Sequence, residues 1–85
     1  MIDAVDATVE TTDGALYQFP NVPEVRLRAA VDKALADGAA LSVANLDSAA
    51  LVIPWRLVRR VRYAPVTEAN DDDWKLLWEV HREIH

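Results

Sequence analysis

The chain of 85 residues contains no cysteine. This absence excludes a disulfide scaffold, thiol catalysis and thiolate ligands for zinc or an iron–sulfur cluster. Its only glycines are Gly14 and Gly38, which are too few for a loop that cradles a phosphate. No apolar run approaches the ~18 residues of a membrane span, and the acidic N-terminal segment lacks the features of a signal peptide. We therefore expect a soluble, cytoplasmic protein without a cofactor or a membrane contact.

The length and composition predict one small folded domain over residues 1–85. Apolar residues make up 52% of the chain, which is typical of a globular protein. A domain of this size buries only about 60–65% of the surface of its unfolded chain, so its core is small. Association into a homodimer would cover more apolar surface. The excess of arginine over lysine, with abundant alanine and valine, suggests a GC-rich genome, and we expect a phage or mobile-element origin.

Charge is distributed unevenly along the chain. The first 24 residues contain five acids and no base, including Asp3, Asp6, Glu10 and Asp13. Residues 25–63 contain seven of the nine bases, and residues 64–85 contain six acids. The basic middle is therefore flanked by acidic segments that could neutralise it within the fold.

The first half of the chain predicts a hairpin followed by a helix. Two β-favourable runs within Thr8–Phe19 flank Asp13-Gly14, a dipeptide typical of a type I′ turn. From Glu24 to Asp37, apolar residues recur at helical spacing, and Gly38 follows in a position that favours a left-handed helix end.

The second half predicts two or three strands and a second helix. Leu41–Asn45 and Ala50–Ile53 are the first two strands; Trp55–Val58 predicts a helical turn, and Arg59–Tyr63 a strand. The run Asn70–Asp73 is typical of a helix start, and the residues that follow it at helical spacing are Trp74, Leu77, Trp78, His81 and Ile84. We therefore expect an α+β domain in the order ββαββ(β)α, with an antiparallel sheet and a C-terminal helix.

The stretch Val52–Tyr63 is the first candidate site. It contains Trp55, Arg56, Arg59, Arg60, Arg62 and Tyr63. In a regular strand, Arg60 and Arg62 would share one face, where they could hold phosphates while the aromatic residues stack on bases. Alternatively, these arginines lie on a solvated strand face and pair with Asp71, Asp72 and Asp73. The net charge of −5 favours the second interpretation.

Two further patterns lie near the C-terminus. His81 and His85 are four residues apart, so they would share one helical face and could bind a divalent metal. A role at the end of a helix explains them more simply, and we expect no metal. Trp74, Leu77 and Trp78 form an aromatic stripe that either packs in the core or, on the Trp78 side, contacts a partner.

These observations lead to a function by elimination. We expect no enzyme, because no catalytic constellation or phosphate loop can be identified. The first hypothesis is a small accessory or regulatory protein that acts through protein contacts, with a protein partner or as a homodimer. Its predicted interaction residues are Trp55, Arg56, Arg60, Arg62, Tyr63 and Trp78. The second hypothesis is nucleic-acid binding through Arg56–Arg62, and the third is an acidic inhibitor that uses Asp3, Asp6, Glu10 and Asp13.

Overall fold

A computed structural model of the chain describes residues 3–47, 49–66 and 74–80. Its elements are β1 (Ala4–Thr11), β2 (Leu16–Pro23), α1 (Glu24–Asp37), β3 (Ala40–Ala44), β4 (Ala50–Pro54), a 3₁₀ turn (Trp55–Leu57), β5 (Val58–Pro65) and β6 (Lys75–Glu79). All strand pairs are antiparallel. The α+β class is thus confirmed, with one main helix among the described residues.

The predicted N-terminal hairpin is present, but its turn differs from the prediction. Gly14 has a φ of 90°, whereas Asp13 is not among the residues of positive φ, so the turn is not type I′. The Gly14 N–H donates to the Thr11 carbonyl over 3.0 Å, and the Thr11 N–H donates to the Ala15 carbonyl over 2.9 Å. The Asp13 carboxylate accepts bonds from the Thr11 hydroxyl and the Ala15 N–H, which explains why this geometry is preferred.

The main sheet has the strand order β2-β1-β5-β6. Alternation along β1 points Val5, Ala7 and Val9 into the core. Val61 of β5 lies directly opposite Val9 and is fully buried. The other face of this sheet is more open: Leu16 at one edge and Leu76 at the other are each more than half exposed.

The first helix matches the prediction from Glu24 to Asp37, and Gly38 ends it with a φ of 68°. Its buried residues are Leu27, Val31 and Ala34, which pack into the same core as Val9 and Val61. Within the described ranges, no helix has both the length and the apolar character that a membrane crossing requires.

The second hairpin forms a sheet of its own, which corrects the expectation of a single sheet. β3 and β4 pair with each other, and β3 lies against α1. Leu41 and Ile53 face inward as a buried pair, whereas Val52 faces solvent. Pro54 ends β4, and the Trp55 N–H then donates to the Ala39 carbonyl over 3.2 Å. The 3₁₀ turn leads from this hairpin into β5 of the main sheet.

The predicted C-terminal helix is wrong over Lys75–Glu79, which form β6 at the edge of the main sheet. Trp78 lies opposite Val61, and Glu79 lies opposite Arg60. As a strand, this segment satisfies the backbone groups of β5 and places Trp78 on the core. A bulge in β6 between the partners of Val61 and Arg62 places Leu76 on the open face and Trp78 on the core, so the strand has no regular period of two that the sequence could reveal. The predicted helix start at Asn70–Asp73 lies outside the described residues.

Candidate interaction site

Trp55 and Trp78 meet where the two sheets join. Their ring centroids are 4.2 Å apart and their planes are inclined by 42°. Trp55 is positioned by the 3₁₀ turn after Pro54, and Trp78 by its pairing with Val61 in β5. Both indoles pack against the core and both remain partly exposed. Aromatic pairs at this separation attract each other beyond the apolar area that they bury, so each ring orders the other.

Arg60 is bound by two carboxylates of the neighbouring strands. Its Nε donates to Glu79 Oε2 over 2.7 Å, and its Nη1 lies 3.7 Å from Glu10 Oε2. The Val80 N–H donates to the Arg59 carbonyl, so Arg59 and Val80 form a hydrogen-bonded pair of the ladder. Such pairs alternate with pairs that share no backbone bond, and the neighbouring pair, Arg60 and Glu79, is of the second kind. Side chains in such pairs lie closer together, which explains the short contact.

Arg59 joins the same network because of a β-bulge. In the pairing of β1 with β5, Glu10 lies opposite Arg60, but the next residue of β1, Thr11, lies opposite Val58. Arg59 is therefore the extra residue of β5. Its Nη1 lies 3.7 Å from Glu10 Oε1, while Arg60 approaches the other oxygen of the same carboxylate. Strict alternation, which would separate Arg59 from Arg60, is therefore wrong at this point. One glutamate partly neutralises two successive arginines.

The remaining predicted arginines are less constrained. Arg56 is exposed in the 3₁₀ turn, and Arg62 lies opposite Thr8 and Leu76 on the open face of the main sheet. Within the described part of the chain, neither guanidinium has a carboxylate within 4.0 Å. The four arginines thus do not form one continuous cationic stripe.

Tyr63 contacts the helix. Arg28 Nη2 donates to the Tyr63 hydroxyl over 2.8 Å, and the Arg28 guanidinium carbon lies 5.4 Å from the centre of the tyrosine ring. Arg28 is itself 3.9 Å from Glu24, one helical turn earlier. These contacts attach α1 to β5, so Tyr63 serves the fold in addition to any role in binding.

Three of the four acidic residues named near the N-terminus already have partners within the fold. Asp3 and Asp13 lie beyond opposite ends of β1. Asp6 accepts a bond from the Asn21 N–H over 3.2 Å, and Glu10 is paired with Arg59 and Arg60. The acidic-inhibitor hypothesis therefore depends on carboxylates of which three, those of Asp6, Glu10 and Asp13, are already bonded within the chain.

The metal candidates His81 and His85 lie outside the described residues, as do Asp71, Asp72 and Asp73. Residues 3–47, 49–66 and 74–80 contain no group of three or more side chains placed to hold a metal ion.

Sequence reasoning predicted Arg60 and Tyr63 as interaction residues but did not identify their partners, which are Glu10 and Glu79 for Arg60 and Arg28 for Tyr63. Arg60 and Glu79 are 19 residues apart, so no local pattern connects them. The acidic flanks of the basic segment were the only signal of such pairing. Chemically, the described residues offer apolar contact through two partly exposed indoles and, separately, ion pairs that connect β1, β5 and β6.

No protein-family model matches the chain, and comparison with curated proteins and with solved structures gives no significant match.

Proposed function

We propose that this chain is a non-enzymatic accessory protein that acts through protein–protein contacts, with Trp55 and Trp78 as its anchor. The observation that supports this proposal is the contact between two partly exposed indoles at 4.2 Å. Tryptophan is enriched among the residues that dominate binding energy at interfaces. Because each ring already restricts the other, little side-chain entropy is lost when a partner binds.

The chemistry of the pair suggests the class of partner. Two inclined indoles present apolar faces and edges, which fit an aliphatic or aromatic side chain of another protein. A regulatory role stays a prediction reached by elimination, and a phage or mobile-element origin stays a prediction from residue usage.

Nucleic-acid binding is the weaker alternative because two of the four arginines already have carboxylate partners. Arg59 and Arg60 share Glu10, and Arg60 also binds Glu79. Arg56 and Arg62 alone would neutralise few phosphates, whereas affinity for a polyanion depends on the number neutralised.

The proposal is tested with a binding partner captured from the source organism and then purified. Trp55→Ala removes one ring of the pair, and Trp74→Ala is the matched control. Trp74 lines a separate pocket with Asp6 and Gln18 and is also partly exposed. We expect calorimetric titration to show that Trp55→Ala raises the dissociation constant about tenfold or more, as at an interface hot spot, and that Trp74→Ala changes it little.

Far-UV circular dichroism establishes that both variants are folded before they are compared. Equal binding by the two variants would contradict the assignment of the anchor. Failure of the wild-type chain to retain any protein would contradict the proposed function itself.

A further inference from the structure

The outer edge of β4 has unpaired backbone groups. The Asn45 N–H donates to the Ala49 carbonyl, and the Trp55 N–H donates to the Ala39 carbonyl. These two bonds determine which residues of β4 direct their backbone N–H and C=O groups toward β3. In an antiparallel ladder, every second residue points its N–H and C=O toward the partner strand. Leu51 and Ile53 therefore bond to β3, whereas Ala50 and Val52 point their backbone groups away from it. The described residues place no strand on that side.

The other sheet edges have features that discourage pairing. Pro20 interrupts β2, because proline has no N–H to donate. β6 has a bulge and carries Lys75 and Glu79 at its ends. β3 lies against α1, and the loop that follows it is bonded to Asn21 through the Leu46 N–H. By contrast, β4 is uncharged and regularly paired, and its proline is its last residue.

Apolar side chains surround this open edge. A shallow pocket of about 240 Å³ lies between β4 and the β1–β2 turn. Its lining includes Val52, Tyr17 and Leu57, which are 61%, 44% and 40% exposed. An added strand would cover these side chains while it satisfies the backbone groups of Ala50 and Val52.

We propose that the strand added to β4 is the β4 of a second copy of the chain, paired antiparallel about a two-fold axis that passes between the two Val52 residues. The paired strands would form a continuous four-stranded sheet from two β3–β4 hairpins. This inference goes beyond the proposed function, since it concerns the backbone edge of β4 and a second copy of the chain.

Charge complementarity argues for a second copy as the occupant. Each chain has a net charge of −5, yet β4 itself carries no charge, so the two strands can approach without direct repulsion. Asp47 precedes β4 and Arg56 follows it; both are exposed, and within the described residues neither has an ion-pair partner. Antiparallel pairing brings Asp47 of one copy beside Arg56 of the other, and two-fold symmetry repeats the contact.

The first test is the solution mass of the wild-type chain and of two lysine variants, measured by light scattering at about 100 µM, where micromolar association is detected. We expect the wild-type mass to be twice the 9.5 kDa of one chain. Val52→Lys places like charges across the two-fold axis and should give a monomer. Val25→Lys is the control, since Val25 is 79% exposed on α1, and it should stay dimeric.

A second variant separates loss of pairing from loss of folding. In Val52→Pro, the N–H that is removed points away from β3, so the β3–β4 ladder keeps its bonds. We expect a folded monomer by circular dichroism and light scattering. A folded Val52→Pro dimer, or a wild-type chain that is monomeric at all concentrations, would overturn the inference.

The proposed contact between Asp47 of one copy and Arg56 of the other is tested by reversing and then exchanging the two charges. Asp47→Arg and Arg56→Asp should each raise the dimer dissociation constant by about three- to tenfold, and the double variant should restore it. A double variant weaker than both single variants would overturn the predicted orientation. These outcomes leave the proposed function intact, because that function depends on how Trp55→Ala and Trp74→Ala differ in binding another protein.

Discussion

At the scale of single residues, Arg59 and Arg60 decide how the basic segment is interpreted. In sequence they form part of a cationic stretch that resembles a nucleic-acid contact. In the fold, Glu10 lies 3.7 Å from both, and Glu79 is bonded to Arg60 over 2.7 Å. Arg59 remains half exposed, so its pairing is weak, whereas Arg60 is held on two sides. The ion pairs of Arg60 therefore connect β5 to both β1 and β6.

Asp13 supplies a pH-dependent contribution to the stability of the β1–β2 turn. A hydrogen bond from the Thr11 hydroxyl, followed by one from the Ala15 N–H, lowers the pKa of the Asp13 carboxyl below its ordinary 3.8. Because the folded-state pKa is depressed, the contribution is fully present above the unfolded pKa. It is lost as the pH falls through the folded pKa.

We expect Asp13→Asn to be less stable than the wild-type chain at neutral pH. An amide oxygen can accept these hydrogen bonds, but it lacks the negative charge that strengthens them in the carboxylate. The difference should shrink below about pH 4 as the wild-type carboxyl becomes protonated. Urea unfolding of both chains, from neutral pH to below about pH 4, measures this difference in the free energy of unfolding. A difference that stays constant with pH would show that ionised Asp13 does not stabilise the turn.

At the scale of elements, Lys75–Glu79 show how much of the fold the sequence could predict. The helix Glu24–Asp37 was predicted at its full length, because its apolar spacing extends over several turns and Gly38 ends it. The run from Trp74 to Val80 is short, and the bulge in β6 breaks the alternation of apolar residues that would indicate a strand. Only the long-range pairing of Trp78 with Val61 and of Glu79 with Arg60 selects the strand.

The strand assignment predicts a specific proton contact. Arg60 and Glu79 form a pair without mutual backbone bonds, so their α-protons should face each other at short distance. We expect a strong α-proton to α-proton Overhauser effect between these two residues. Helical chemical shifts over Lys75–Glu79, without this cross-strand effect, would contradict the fold described for the segment.

The same element predicts contrasting effects of two truncations. Trp78 packs on Trp55 and the core, whereas Leu76 is 53% exposed on the open face of the sheet. We expect Trp78→Ala to lower the free energy of unfolding by about 2 kcal/mol, since a partly buried ring and its stacking partner are both affected. Leu76→Ala should lower it by about 0.5 kcal/mol or less. Equal losses in urea unfolding would contradict the orientation of β6.

At the scale of the whole molecule, the fold joins two small sheets at a pair of tryptophans. Local sequence patterns predicted a small α+β domain and selected Trp55 and Trp78 as interaction residues. It could not predict that they touch, because the contact depends on two strands and a turn that lie far apart in sequence. The division of the predicted arginine group likewise arises from pairing between distant strands.

The central claim is that Trp55 and Trp78 form the contact with a protein partner. The most direct measurement is fluorine NMR of the chain labelled with fluorotryptophan, in which its three tryptophans give separate signals that single substitutions assign. On titration with the purified partner, we predict that the Trp55 and Trp78 signals shift or broaden together and that the Trp74 signal changes little. A response confined to Trp74, or unchanged signals from Trp55 and Trp78 in a saturated complex, would contradict the claim.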